Sequence, residues 1–244
     1  MAEALLFGLA ASSALVIGSA VGAFWRAPKR LTGVALAFAS GALISALAFE
    51  LFEEAFHAGG AARSGLGLLA GAATFVLVDT ALDRWVASPQ ADQRDVVRGA
   101  ARTGGGVGFP LLAAVTLDGV PENTALGISL IETASVTLLV AIFFSNLPES
   151  LVGTIAMRDD GYSRRAVIAV WGIAALLLAA AVVVGRVALE DASAETLSVL
   201  LSFAGGAVLA SLADTLMPEA FEHGKPWNAF ATGAGFFLSF VLAA

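Results

Sequence analysis

Cysteine is absent from the chain and only two histidines occur, His57 and His223, so disulfides and thiolate metal ligands are both excluded. Charge is scarce as well. Asp, Glu, Lys and Arg make up 14% of the 244 residues, where a soluble domain carries roughly 25%. Against that, 58% of residues are hydrophobic and the mean hydropathy is +0.86. The net charge of −7 gives no basic surface for nucleic acid, which is excluded as a partner. No stretch is left for a soluble domain of any size, and the lipid bilayer is the expected surroundings.

A spanning helix needs about 20 mainly apolar residues, and about eight such stretches are present. They run from Ala4 to Phe24, Leu31 to Phe52, Leu66 to Val86, Val107 to Leu130, Ser135 to Ala156, Val167 to Leu189, Leu197 to Met217 and Trp227 to Ala243. The first follows Met1-Ala2-Glu3 without a basic leader or a small-residue cleavage site, and is expected to be a span rather than a removable signal. With both termini outside, Arg26, Lys29, Arg30, Arg84, Arg94, Arg98, Arg102, Arg158, Arg164, Arg165 and Lys225 all fall inside. Only Arg63 and Arg186 fall outside, which the positive-inside rule favours. Trp85, Trp171 and Trp227 near span ends fit an aromatic belt. The expected fold is therefore all-α and polytopic, with eight spans and both termini external, in a prokaryotic inner or cell membrane.

Two segments of the chain resemble each other. Phe38 to Phe56 aligns without gaps with Phe203 to Phe221, and about half the positions are identical, among them the closing Glu54-Ala55-Phe56 and Glu219-Ala220-Phe221. In the eight-span topology the two helices run in opposite directions, so the repeat is inverted, as in many transporters. One transporter domain, 1–244, then divides into a three-helix repeat (1–86), a cytoplasmic loop (87–106), two central helices (107–157) and a second three-helix repeat (158–244). Small residues such as Gly41, Ala42, Ser45, Gly205, Gly206, Ala207 and Ala210 also suit close helix packing. Packing alone does not require the shared acidic ends.

The fourth span contains Asp118-Gly-Val-Pro-Glu122-Asn and the fifth Ser145-Asn-Leu-Pro-Glu149-Ser. A charged carboxylate at mid-bilayer costs roughly 2.5 to 3.5 kcal/mol, so each marks a functional site. Asp118 and Glu122 stand one turn apart on one face, as do Ser145 and Glu149, and Asn146 lies close to that face. Pro121 and Pro148 lack the N–H that would pair with the carbonyls of Leu117 and Phe144, which are freed for a cation or water. Two proline kinks locked by neutral, hydrogen-bonded glutamic acids are the plain structural alternative.

These tandem Pro-Glu helices, the eight spans and the Glu-Ala and Pro-Glu-Ala endings of the second and seventh spans resemble the ZIP family of divalent metal transporters over essentially the whole chain. That family carries His-Asn-x-Pro-Glu-Gly on its fourth helix and His-x-x-Pro-Glu on its fifth, which together build a binuclear metal site. The resemblance implies that Glu122 and Glu149 are metal ligands, with Asn146 at a ligand position. Three positions depart from the pattern, with Asp118 and Ser145 in place of the histidines and Gly119 in place of asparagine. The sixth span, Val167 to Val184, supplies no carboxylate, and the second metal position is incomplete. The ligand set is then Asp118, Glu122, Ser145, Asn146 and Glu149, all oxygen donors, which suit harder ions as well as zinc or ferrous iron.

Glu50 and Glu54 near one mouth, and Asp214 and Glu219 near the other, are candidate pathway residues, with His57 and His223 just beyond them. Asp79, Asp83 and Arg84 read as an ion-paired anchor of the third span. The expected partner is a divalent metal cation, carried as substrate rather than held as a cofactor, and homodimerisation is left open. An enzyme is not expected, because no histidine is embedded in an apolar span and no Ser-His pair exists. A proton-coupled carrier of another cation or small solute, or a transport-inactive relative, are the competing readings.

Overall fold

The computed structural model describes residues 1–86, 108–131 and 134–243, and the loop expected at 87–106 lies outside them. Among the described residues all regular structure is helical, as lipid demands, since a helix satisfies its backbone polar groups internally. The helices are α1 (Ala2–Phe24), α2 (Lys29–Ala46), α3 (Glu53–Val86), α4 (Gly108–Ser129), α5 (Val136–Asp159), α6 (Arg164–Ala188), α7 (Ala194–Ser211), α8 (Met217–Gly224) and α9 (Asn228–Ala243). Ser135, Ser163 and Ser193 cap α5, α6 and α7 by accepting from the N–H groups of Leu138, Ala166 and Thr196.

Five helical runs are long and apolar enough to cross a membrane, namely Ala2–Phe24, Lys29–Leu82, Val136–Asp159, Arg164–Ala188 and Ala194–Gly224. The second is 54 residues long and holds more than twice the roughly 20 residues that one passage takes. Gly60 breaks it with φ 72° and ψ 175°, left-handed backbone that glycine adopts without a Cβ penalty. The second helix therefore does not end at Phe52, and the seventh does not end at Met217. Each continues through its acidic segment, to Gly60 and to Gly224 respectively, because Glu, Ala and Phe sustain a helix until a glycine stops it.

Both of the sequence-related segments are interrupted by a π turn. Leu47–Phe52 joins α2 to α3 and Leu212–Leu216 joins α7 to α8. Leu47 and Leu212 occupy the same aligned position. Pro218 follows the second π turn, but Glu53 stands at its aligned position in the first, so proline does not cause the shared distortion. Single π turns inside helices concentrate at functional sites.

Packing pairs helices that are far apart in sequence. α3 lies on α7 and α9 on α2, while α1 and α2 pack on α5 and, reciprocally, α6 and α7 pack on α4. The crossings are backbone to backbone. A Cβ on Gly71 would meet the Phe203 carbonyl, one on Gly206 that of Leu68, one on Gly41 that of Thr232 and one on Gly235 that of Phe38.

Charge segregates by end. Arg26 pairs with Asp159 at 2.7 Å, Arg164 donates to the Ala23 carbonyl, and Gly33 at the start of α2 packs on Gly224 beside Lys225. At the opposite end Arg63 pairs with Glu195 at 3.1 Å and Arg186 with Glu190 at 3.2 Å. Trp171 departs from the aromatic-belt expectation. It is 1% exposed, because Gly153 leaves α5 bare where the indole lies against it. Trp227 is exposed as expected.

Candidate functional site

The two Pro-Glu helices bring their carboxylates into one electrostatic neighbourhood. Pro121 and Pro148 both lie inside continuous helices, α4 and α5, which carry Glu122 and Glu149 one residue further on. Glu149 is close enough to Asp118, Glu122 and Glu219 for each charge to act on it, and Glu122 feels Asp118 in the same way. Glu122 is buried, 8% exposed, while Asp118 and Glu149 are half-buried.

Asp118 is the junction between this pair and the rest of the molecule. Its Oδ1 accepts from Ser211 Oγ at 2.9 Å, at the last residue of α7 before the π turn. The Ser211 hydroxyl lies 3.4 Å from Thr215 Oγ1, which itself donates to the Ser211 carbonyl at 2.7 Å. The charges of Asp79 on α3 and Asp214 in the π turn also reach Asp118. The charge of Asp79 thus acts on Asp118, which the anchor reading did not include; the side chain of Asp83 lies outside the described residues. A carboxylate within the third span was itself the signal that could have marked Asp79.

Two polar side chains of α5, Asn146 and Ser150, bond to α1. Asn146 and Ser145 are both 2% exposed, and Asn146 Nδ2 donates to the Ala11 carbonyl at 3.4 Å. That commits the amide nitrogen to α1 and leaves the oxygen as the atom for a cation. Ser150 bonds the carbonyls of Ala14 and Asn146, at 3.4 and 2.8 Å. On α4, Asn123 Nδ2 donates back to the Gly119 carbonyl at 2.8 Å, and its Oδ1 is buried with no hydrogen-bond partner among the described residues. Neither Asn123 nor Ser211 stood among the sequence candidates.

The pathway candidates divide into two groups. Asp214 and Glu219 join the central neighbourhood through Asp118 and Glu149. Glu50 and Glu54 are half-buried along the first π turn and the start of α3, and His57 Nε2 lies 3.9 Å from Glu53 rather than from Glu54. Glu53 also lines a cavity of about 240 Å3 with Phe49 and Phe240. His223 sits half-buried at the end of α8. Among the described residues, no three His, Asp or Glu side chains converge to the spacing of a closed metal-ligand cluster.

No protein-family model matches the sequence, and no curated protein matches it either.

Chemically, the arrangement offers carboxylate, amide and hydroxyl oxygens, and each proline lacks the N–H that would otherwise occupy a helix carbonyl. Such a set can strip and replace the water of a hard or borderline cation.

Proposed function

We propose that this chain is a ZIP-type membrane transporter that carries a divalent metal cation into the cytoplasm through a mid-membrane carboxylate site. Eight spans would be made by α1, α2, α3 beyond Gly60, α4, α5, α6, α7 and α9, with the basic end cytoplasmic and both termini outside. The observation that carries the reading is that Glu122 and Glu149, each just past an intrahelical proline, lie within reach of one another's charge, with Asp118 linking them to the second π turn. Carboxylates grouped at this depth are costly unless a cation or proton accompanies them. A transported cation offsets that cost and gives the group a purpose that packing alone does not require.

Asp118, Glu122, Ser145, Asn146 and Glu149 act as the ligand set, and Asp214 and Glu219 form the cytoplasmic continuation. Glu50 and Glu54 line the outer approach, with His57 and His223 beyond the two acidic ends. The cation is the substrate, and no covalent chemistry is performed. Metal-dependent thermal stabilisation of the purified protein tests the reading. Manganese, zinc or ferrous iron should raise the melting midpoint, and Glu122→Gln should abolish the rise while the protein stays folded. A wild-type midpoint indifferent to all divalent ions would reject metal binding.

One observation favours a second reading, a proton-coupled carrier of another solute. The carboxylates neighbour one another, and the hydroxyls of Ser211 and Thr215 extend them as a proton path would require. Uptake that needs a pH gradient and ignores divalent ions would select it.

A further inference from the structure

Three helix ends meet at the basic end of the molecule. α1 closes at Phe24, α5 closes at Asp159 and α6 opens at Arg164. Between them lies a cavity of about 210 Å3 whose walls include Phe24, Trp25, Arg26, Ile155, Arg158 and Arg164. The transport reading gives these side chains no task beyond setting topology.

The arginines are positioned, and two of them are not neutralised. Arg26 Nη2 is paired with Asp159 Oδ1 at 2.7 Å. Arg164 Nε donates to the Ala23 carbonyl at 3.0 Å, and its guanidinium lies 4.8 Å from the centroid of the Phe24 ring. Arg158 Nη1 donates to the Tyr162 carbonyl. Among the described residues neither Arg158 nor Arg164 has a carboxylate partner. Each guanidinium carries five N–H donors, so one backbone bond apiece leaves most of them available. Two fixed like charges beside one cavity, with planar donor forks, match the oxygens of a phosphate group.

The surroundings decide where that phosphate comes from. Phe24 is 71% exposed and Trp25 48% exposed, and both stand where three apolar helices stop. Tryptophan at such a level sits among lipid headgroups, and basic pockets between spanning helices take anionic headgroups there. A free phosphate ion has no use for an apolar rim. We propose that this cavity binds the phosphodiester of an anionic phospholipid, with Arg158 and Arg164 holding the phosphate oxygens and Phe24 and Trp25 lying against the start of the acyl chains. The lipid would then clamp α1 to α5 and α6 at one end.

The purified full-length protein in neutral detergent tests this by titration with phosphatidylglycerol, phosphatidylcholine and inorganic phosphate. Melting midpoint and quenching of Trp25 by brominated acyl chains are read in parallel, and loss of the signal in Trp25→Phe identifies that indole among the four present. Phosphatidylglycerol should give a saturable rise and quench, and phosphatidylcholine neither. Arg158→Gln with Arg164→Gln should weaken the phosphatidylglycerol response by about five-fold per arginine, the attraction of one basic residue for an anionic leaflet. Equal responses to the two lipids, or an unchanged response in the double variant, would overturn the site. Full saturation by inorganic phosphate with displacement of the lipid would overturn the lipid assignment. If the double variant does not fold, the discrimination between lipids by Trp25 quenching in the wild-type protein decides alone.

Discussion

The crossings of α2 with α9 and of α3 with α7 are closed by backbone lying on backbone, and around α4 and α5 such glycine contacts are joined by polar side chains that lead to the carboxylates. At the crossings Gly41, Gly71, Gly206 and Gly235 leave no room for even a Cβ. Around α4 and α5, Ser211 reaches Asp118, Asn146 reaches Ala11 and Ser150 reaches Ala14. In lipid no hydrophobic force drives helices together, so association needs either close van der Waals contact or polar bonds. Around α4 and α5 the molecule uses both, since a Cβ on Gly18 would meet the Leu147 carbonyl and one on Gly127 that of Val182, and the polar bonds are what the proposed cation site adds. A residue's worth to folding and its worth to transport should accordingly separate.

The sharpest way to break the comparison is to fill the crossings. Gly71→Leu and Gly235→Leu each drive a side chain into a backbone carbonyl that cannot move aside. The expected cost is at or above the upper range for overpacking, about 3 kcal/mol, and should appear as loss of the monodisperse peak in size-exclusion chromatography. A folded, stable Gly235→Leu protein would mean that α2 and α9 do not touch as described.

Next in size come the carboxylates, where fold should survive and transport should not. Glu122→Gln and Glu149→Gln keep volume and remove charge. Metal affinity should fall by more than the roughly 10- to 100-fold that outer-shell partners command, with elution profile and helical circular dichroism unchanged. Asp118→His should shift competition between manganese and zinc toward zinc, because imidazole is the softer ligand. No shift would place Asp118 outside the ligand set.

Ser211→Ala removes the hydrogen bond to Asp118 together with the longer contact to Thr215 Oγ1, and leaves the other side-chain bonds of α7 in place. Roughly ten-fold weaker metal binding is expected, as for a residue that orients a ligand, against an unchanged melting midpoint without metal. The smallest effects belong to glycines that face open space. A Cβ on Gly65 or Gly172 meets nothing within 4 Å, so Gly65→Ala and Gly172→Ala should be neutral or stabilise by up to about 1 kcal/mol through helix propensity. Thermal melts separate these from the crossing glycines.

Much of this contrast could be read before any coordinates. Long apolar runs announce helices because composition alone decides whether a segment can sit in lipid, and Asp118, Glu122 and Glu149 stood out because acids in such runs are costly. Helix limits were less legible. Glu53 to Gly59 is polar enough to resemble a loop but is made of residues that keep a helix going until Gly60. The π turns at Leu47–Phe52 and Leu212–Leu216 were invisible, since α and π turns draw on the same residue types. The bond from Ser211 to Asp118 spans 93 residues of sequence, and no local pattern announces such a pairing. Trp171 was misplaced because its burial depends on Gly153, a residue on another helix.

The claim that Glu122 and Glu149 together carry a divalent cation is tested most directly by uptake into proteoliposomes. Wild-type protein and Glu149→Gln are reconstituted at equal density around a metal-sensitive dye, and manganese and zinc are added outside. The account predicts saturable dye response with the wild-type protein and a response at the level of empty liposomes with Glu149→Gln. Equal uptake by the two proteins, or none by correctly folded wild-type protein for any divalent ion offered, would contradict it.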